Sequence, residues 1–166
     1  MAPARARETR MLIVSQRLDG DRQPDARLTL PFQMRSKSRL RTTLDSGEEV
    51  GLVLERGSVL RGGDLLLADD GRVIGIVAAA ESVSTVRASD PWQLARASYH
   101  LGNRHVALQI GQGWVRYQHD HVLDEMVRGL GLDVVVEAAP FEPEAGAYGT
   151  TSHRHGGVLL PDHQHG

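Results

Sequence analysis

The sequence predicts two domains of different class, an all-β module over residues 11–82 and an α+β module over residues 83–148. Short apolar runs separated by turn-forming residues fill the first half of the chain, a pattern typical of strands joined by tight turns. Helix-capping signals appear only from Asp90 onward. Residues 149–166 are rich in glycine and histidine without apolar periodicity, and this composition predicts a flexible tail.

The N-terminal residues and the composition indicate where in the cell the protein acts and which partners it can have. Residues 1–10 are predicted to form a disordered extension, and Met11 could replace Met1 as the start. No long apolar region or cleavage site is present there, and no apolar run approaches the roughly 20 residues that cross a bilayer. We therefore expect a cytoplasmic protein without membrane contact. The net charge of -2 argues against a nucleic-acid partner, which would favour an excess of Lys and Arg.

The first module is expected to consist of strands. The turn Asp69-Asp70-Gly71 lies between LLLA and VIGIVAA and predicts a hairpin, because glycine supplies the positive φ of a tight turn. VGLVL and VIGIVAA are nearly continuous apolar runs, as expected of strands covered on both faces. Neither capping residues nor length predict a helix before residue 90.

In the second module, Asp90 is a good N-cap and Pro91 suits the first helical turn. Gly102 could end this helix in the left-handed conformation, so a helix is predicted over residues 91–101. The alternation of apolar residues over 106–110 then predicts a strand.

A second helix is predicted between Asp120, a candidate N-cap, and Gly131, a candidate stop. Apolar residues between them follow the helical spacing i, i+3, i+4, i+7. If VSTVRA at 83–88 is counted first and VVVEAA last, the order becomes β-α-β-β-α-β. This order is that of the ferredoxin-like unit, an antiparallel sheet with two helices on one face.

All eight histidines lie in the C-terminal half, and the chain has no cysteine. A metal would therefore be held by imidazole and oxygen, which favours Ni(II), Cu(II), Zn(II) or Co(II) over Cu(I). Imidazole binds such ions only while it is neutral. The candidate metal ligands are His100, His105, His119, His121, His153, His155, His163 and His165.

His119 and His121 flank Asp120 in RYQHDHVL. In extended chain the side chains at i and i+2 point to one face and could grip one ion, whereas on a helix they diverge. If Asp120 caps the helix, His119 stays outside it and the pair can partly converge. The alternative is two solvated polar residues at the start of a helix.

His100 and His105 lie five residues apart in YHLGNRH and are not expected to share an ion on a continuous helix. His105 could simply close a turn through a hydrogen bond. In a two-fold dimer, however, one His105 from each chain could supply two ligands to a shared ion. Such an open site would suit a protein that must release its metal.

The tail carries two His-x-His pairs, His153 with His155 and His163 with His165. Flexible ligands lose ordering entropy on binding, so the tail should collect metal weakly and with little selectivity. A solvated tail or a cloning remnant is the alternative.

A stripe of cations is the other candidate binding feature. Arg35, Lys37, Arg39 and Arg41 alternate in MRSKSRLRT and would share one face of a strand, where they could dock an acidic partner. The alternative is a solvated edge strand whose charges deter aggregation.

No enzymatic activity is expected. The carboxylates, including Asp124 and Glu125 on what we expect to be the polar face of a helix, accompany no recognisable nucleophile or acid–base pair. A phosphate-binding loop of the G-x-x-x-x-G-K-[ST] type is also missing.

Four stretches resemble the UreE family of urease accessory proteins: YHLGNRH, RYQHDHVLDEMVRGLGLDV, APFEPEAGAYGTTSHRHG and, in the first module, SRLRTTLDSGEEVGLVLERGSVLRGGDLLL. The resemblance implies a homodimeric nickel metallochaperone that delivers Ni(II) to apo-urease together with accessory proteins, including a GTPase. It implies that His105 is the central ligand and meets its symmetry mate, with peripheral binding at His119 and His121 and a less defined role for His100.

The resemblance further implies that the first module is a peptide-binding fold, which could contact urease or its assembly factors. Two other functions are compatible with the residues alone. One is a general histidine-based buffer for zinc, copper and nickel, since affinity order favours Cu(II) over Ni(II). The other is a protein-binding module without a delivery role.

Overall fold

A computed structural model describes residues 10–146. The first domain is built on a six-stranded sheet of order β2-β6-β5-β1-β4-β3, in which β1/β4 and β2/β6 are parallel and the other neighbours antiparallel. Its strands are β1 (Leu12–Leu18), β2 (Ala26–Leu30), β3 (Arg39–Thr43), β4 (Glu49–Val53), β5 (Leu65–Ala68) and β6 (Val73–Ala78).

The sheet encloses an aliphatic core, and two predictions are confirmed there. The central residues of β4 and the first four of β6 are buried, as their continuous apolar runs indicate. Asp69-Asp70-Gly71 joins antiparallel β5 and β6, with Gly71 at φ +88°. The core is made of Val14, Leu28, Val50, Leu52, Leu60, Leu66, Ile74 and their neighbours.

The expectation of no helix before residue 90 is wrong, because one helical turn, α1 (Phe32–Arg35), follows β2. No side chain caps this turn, and four residues are too few to show helical periodicity. Tertiary contacts of the fully buried Arg35 hold it instead: its guanidinium donates to the carbonyls of Leu30 and Leu60.

The second domain has the element order β7 (Ala80–Arg87), α2 (Pro91–Asn103), β8 (Gln109–Gly111), β9 (Trp114–Gln118), α3 (His121–Gly129) and β10 (Val135–Pro140). Its four strands form an antiparallel sheet of order β10-β7-β9-β8. β7 begins at Ala80, so a domain boundary at residue 82 falls inside this strand. The core between sheet and helices contains Val86, Val115 and Tyr117 together with Ala97, Leu101 and Val127.

Both helix starts are as predicted, but the end of α2 is not. Asp90 accepts a hydrogen bond from the Trp92 amide at 2.9 Å, and Gly131 adopts a left-handed φ of +86° just beyond α3. Gly102 remains helical, and the residue with the left-handed φ is His105. The predicted strand over 106–110 is also shorter, since the Val106 amide bonds back to the Leu101 carbonyl.

The two domains are joined beyond the peptide link. The Arg35 guanidinium in α1 binds the Glu142 carboxylate and the Phe141 carbonyl, both just after β10. The rings of Phe32 and Phe141 meet edge to face at 5.6 Å, and the Phe32 amide donates to Glu81 in β7. Among residues 10–146, no helix is long and apolar enough to cross a membrane.

Candidate metal-binding site

His105 occupies the turn that follows α2. Its amide donates to the Gly102 carbonyl at 3.0 Å, while the Arg104 amide donates to Leu101 at 3.1 Å. Its φ of 56° makes it the one non-glycine residue between positions 10 and 146 with a positive φ. A side chain in this region costs roughly 1–2 kcal/mol, so the turn presents an exposed imidazole at an energetic cost.

The helix that leads to His105 has large exposed aromatic side chains. Trp92 is 63% exposed and Tyr99 is 66% exposed. Seven residues separate them, which is two helical turns, so they lie along one face of α2. The Arg96 guanidinium lies over the Trp92 ring at 5.0 Å. The half-buried His100 contacts the edge of Tyr99 at 5.3 Å between ring centroids.

His119 follows β9 and is anchored through one ring nitrogen. Its Nδ1 lies 3.1 Å from the Asp124 Oδ2 and 3.1 Å from the Ser84 Oγ. Asp124 on α3 is only 2% exposed, and its Oδ1 accepts a 2.7 Å hydrogen bond from the Tyr117 hydroxyl. Burial, and then the hydrogen bond to Asp124, raises the pKa of Tyr117, which keeps this hydroxyl a donor.

Asp120 caps α3 as predicted, since its Oδ1 accepts from the amides of Val122 at 2.8 Å and Leu123 at 3.2 Å. Its backbone is extended, with φ −151° and ψ 119°, between His119 and the first helical residue, His121. An extended central residue allows the side chains on either side to share a face. Both histidines are exposed, so the geometry is compatible with joint contact to one ion.

The candidate ligands in the described range do not form a complete site by themselves. Between residues 10 and 146, no group of three or more histidine, aspartate or glutamate side chains is close enough to hold an ion. His153, His155, His163 and His165 lie outside the described residues.

Comparison with known protein families identifies matches to both domains of the chain. Residues 12–79 match the family model "UreE urease accessory protein, N-terminal domain", and residues 81–166 match the corresponding C-terminal domain. The chain therefore belongs to the UreE urease accessory protein family. This confirms the resemblance noted from the sequence, and membership of an accessory-protein family agrees with the expectation that the chain is not an enzyme.

Individual UreE relatives match over most of their length. A urease accessory protein UreE from Alkalilimnicola ehrlichii is 63% identical over 139 residues, covering 84% of this chain and 85% of the relative. One from Pseudomonas putida is 59% identical over 160 residues, covering 92% and 99%. One from Escherichia coli is 53% identical over 146 residues, covering 87% and 95%.

The prediction that four cations share one exposed face of a strand is wrong. Arg35 lies in α1 and is completely buried, so it cannot belong to an exposed stripe on a strand. Its three guanidinium nitrogens donate to the carbonyls of Leu30, Leu60 and Phe141, and Nη1 also binds the Glu142 carboxylate. Lys37 lies before β3, and only Arg39 and Arg41 alternate on that strand, which is the edge of the sheet. These three cations are exposed.

The prediction that Asp124 lies on the polar face of α3 is wrong, because its side chain is buried. It lies three residues before the buried Val127, a spacing that places both on the same helical face. The burial of Asp124 could have been predicted, because the sequence places this carboxylate within the apolar stripe of the helix. Its partners could not be deduced from helical spacing, because Tyr117 lies in β9 and His119 follows that strand, so neither belongs to α3.

Proposed function

We propose that this chain is a homodimeric, nickel-binding metallochaperone that acts in the cytoplasm and delivers Ni(II) to apo-urease. Family membership supports a role in urease assembly, where the partners would be apo-urease and its accessory proteins, including a GTPase. The observation that carries the metal-binding role is His105, an exposed imidazole held in a strained left-handed turn at the end of α2.

A single imidazole is a weak site, so the proposal requires a second copy of the chain. In a two-fold dimer with His105 near the axis, each chain would contribute one ligand to a shared ion. The exposed face of α2 supports this arrangement, because Trp92 and Tyr99 offer aromatic area of the kind enriched in protein interfaces. Tyr99 precedes His105 by only six residues. A two-ligand site would remain open for release of the ion.

The other histidines would act around this centre. His119 and His121 would bind peripherally, with His100 as an auxiliary ligand and His153, His155, His163 and His165 collecting ions. Imidazole and carboxylate donors without thiolates suit Ni(II), although Zn(II) and Cu(II) can compete for the same ligands in vitro.

The two domains would divide the work. We infer that the second domain is a ferredoxin-like unit, which its element order and antiparallel strand order β10-β7-β9-β8 support. The first domain would contact protein partners as a peptide-binding fold. The exposed Lys37, Arg39 and Arg41 at its β3 edge would favour an acidic partner surface.

Calorimetric titration of the full chain with Ni(II) tests the central site. We expect the tightest event to have a stoichiometry of one ion per two chains, and to disappear in His105→Ala. Arg104→Ala is the matched control, since it truncates the exposed neighbouring side chain of the same turn, keeps every imidazole and should keep this event. Truncation after Tyr148 should remove only weak binding. Tight binding that survives His105→Ala, or that persists in a monomer, would contradict the proposal.

Delivery requires a separate measurement. Nickel-loaded wild-type protein should increase the activity of apo-urease in the presence of its accessory proteins, and nickel-treated His105→Ala should do so much less. A free-nickel control at the same total concentration separates delivery from simple supply. An identical increase with the variant would favour the metal-buffer function.

A further inference from the structure

We propose that Asp124 is a positioning residue that fixes the tautomer and orientation of His119, so that the Nε2 atom is preset to bind metal. This inference rests on the proposed role of His119 as a peripheral ligand. It concerns a carboxylate that lies beneath the surface histidine and has only 2% exposure. The geometry that leads to it is the chain of contacts from Tyr117 through Asp124 to His119.

The donor and acceptor inventory decides the tautomer. A carboxylate only accepts hydrogen bonds, so the 3.1 Å contact between the Asp124 Oδ2 and the His119 Nδ1 requires the hydrogen to be on Nδ1. In a neutral imidazole the lone pair is then on Nε2. With Nδ1 occupied by Asp124 and Ser84, Nε2 is the atom that remains for an ion.

The contacts also restrict the ring. Ser84 is fully buried in β7, and Asp124 is held in turn by the hydroxyl of the buried Tyr117 in β9. Three elements, β7, β9 and α3, therefore determine where the His119 ring lies. In the described part of the chain, the neighbouring His121 side chain makes no hydrogen bond or ion pair. His119 is thus the preorganised member of the pair, and ordering it on metal binding should cost less.

Asp124→Asn separates positioning from packing, because it keeps the size of the side chain. The amide oxygen can still accept from Tyr117, and the amide nitrogen then donates to the His119 Nδ1. That arrangement places the imidazole hydrogen on Nε2 and removes the lone pair from the ligand atom. Glu125→Gln is the matched control, since it makes the same charge change on the next, exposed residue of α3.

The first readout needs no metal. Nitrogen-15 NMR of histidine-labelled full-length protein, at a fixed pH where His119 is neutral and with its signals assigned by His119→Gln, should show the Nδ1–H tautomer in the wild type. Asp124→Asn should shift the population toward Nε2–H, while Glu125→Gln should not. A wild-type ring in the Nε2–H form would overturn the proposal, whether or not Asp124→Asn folds.

The second readout is the Ni(II) concentration that broadens the His119 ring signals by half. We expect Asp124→Asn to raise it by roughly 10- to 100-fold, the usual effect of losing an outer-shell partner, with no change for Glu125→Gln. A tautomer shift without a change in this concentration would overturn the positioning role at His119. The proposed site at His105 would stand in that case, because its tight calorimetric event is measured independently.

Discussion

At the scale of single residues, the left-handed conformation of His105 allows its proposed role in metal binding to be tested separately from its effect on stability. An imidazole at this position is useful only if the turn tolerates a side chain at φ 56°. Its amide bond to Gly102 and the Val106 bond to Leu101 hold the turn closed on either side of the strained residue. A residue kept in an unfavourable conformation by its surroundings is a common feature of functional sites.

This conformation predicts different stabilities for two variants that both lack the imidazole. His105→Gly should be more stable than His105→Ala by about 1 kcal/mol, because alanine retains the Cβ atom that disfavours positive φ. Urea unfolding of the metal-free proteins measures the difference. Both variants should lose the tight nickel event equally. If the alanine variant were the more stable, the left-handed turn at His105 would be wrong.

At the scale of the helices, two glycines that look alike in sequence are expected to behave in opposite ways. Gly102 is helical and an added Cβ would meet no atom within 4 Å, so Gly102→Ala should stabilise the fold by about 0.5–1 kcal/mol. Gly131 has φ +86°, so Gly131→Ala should destabilise it by about 1 kcal/mol. Thermal unfolding of both variants distinguishes the cases. Destabilisation by Gly102→Ala would restore the helix end predicted from the sequence.

The two helices show where local sequence signals are sufficient. The bounds of α3 follow from Asp120 and Gly131, whose effects depend on their own backbone and the adjacent amides. The end of α2 does not follow from local signals, because a helix could end equally well at Gly102 or in the turn after it. A contact of Val106 with Leu101 and the packing of Leu101 in the core select the longer helix.

The candidate site also has some features that the sequence predicts and others that depend on tertiary contacts. Its exposed histidines could be identified from residue type and spacing, since ligand chemistry belongs to the side chain itself. The support beneath His119 could not be identified, because Ser84 lies 35 residues before it and comes close only when β7 pairs with β9. The helix α1 was missed for the same reason, since its buried Arg35 is held by Phe141 and Glu142 more than 100 residues later.

At the scale of the whole molecule, Arg35 couples the two domains. Its side chain is completely buried, and its ion-pair partner Glu142 is 27% exposed. The guanidinium donates hydrogen bonds to the Leu30 and Leu60 carbonyls of the first domain. It also donates to the Phe141 carbonyl, in the segment that follows the last strand of the second domain. A buried charge of this kind is retained only when its hydrogen bonds are made, so the cluster stabilises a specific arrangement of the segments that meet there.

The placement of the tryptophans makes this coupling measurable. Both of them, Trp92 and Trp114, lie in the second domain, whereas far-UV circular dichroism reports on both domains. In urea, the two signals should change together for the wild type, as expected when the domains unfold as one unit. Arg35→Ala should remove roughly 3 kcal/mol from the first domain, because it removes the buried guanidinium that donates to the Leu60 and Phe141 carbonyls and pairs with Glu142.

The variant should therefore lose part of its circular dichroism at lower urea than its tryptophan fluorescence, since the second domain loses only its contacts after β10. Arg41→Ala is the matched control, because Arg41 lies on the edge strand β3, pairs with Glu49 of β4 and has a side chain that is 70% exposed. An exposed pair contributes about 0–1 kcal/mol, so its two transitions should stay coincident. If both signals of Arg35→Ala shifted together by the same amount, the domains would be coupled through contacts other than this cluster.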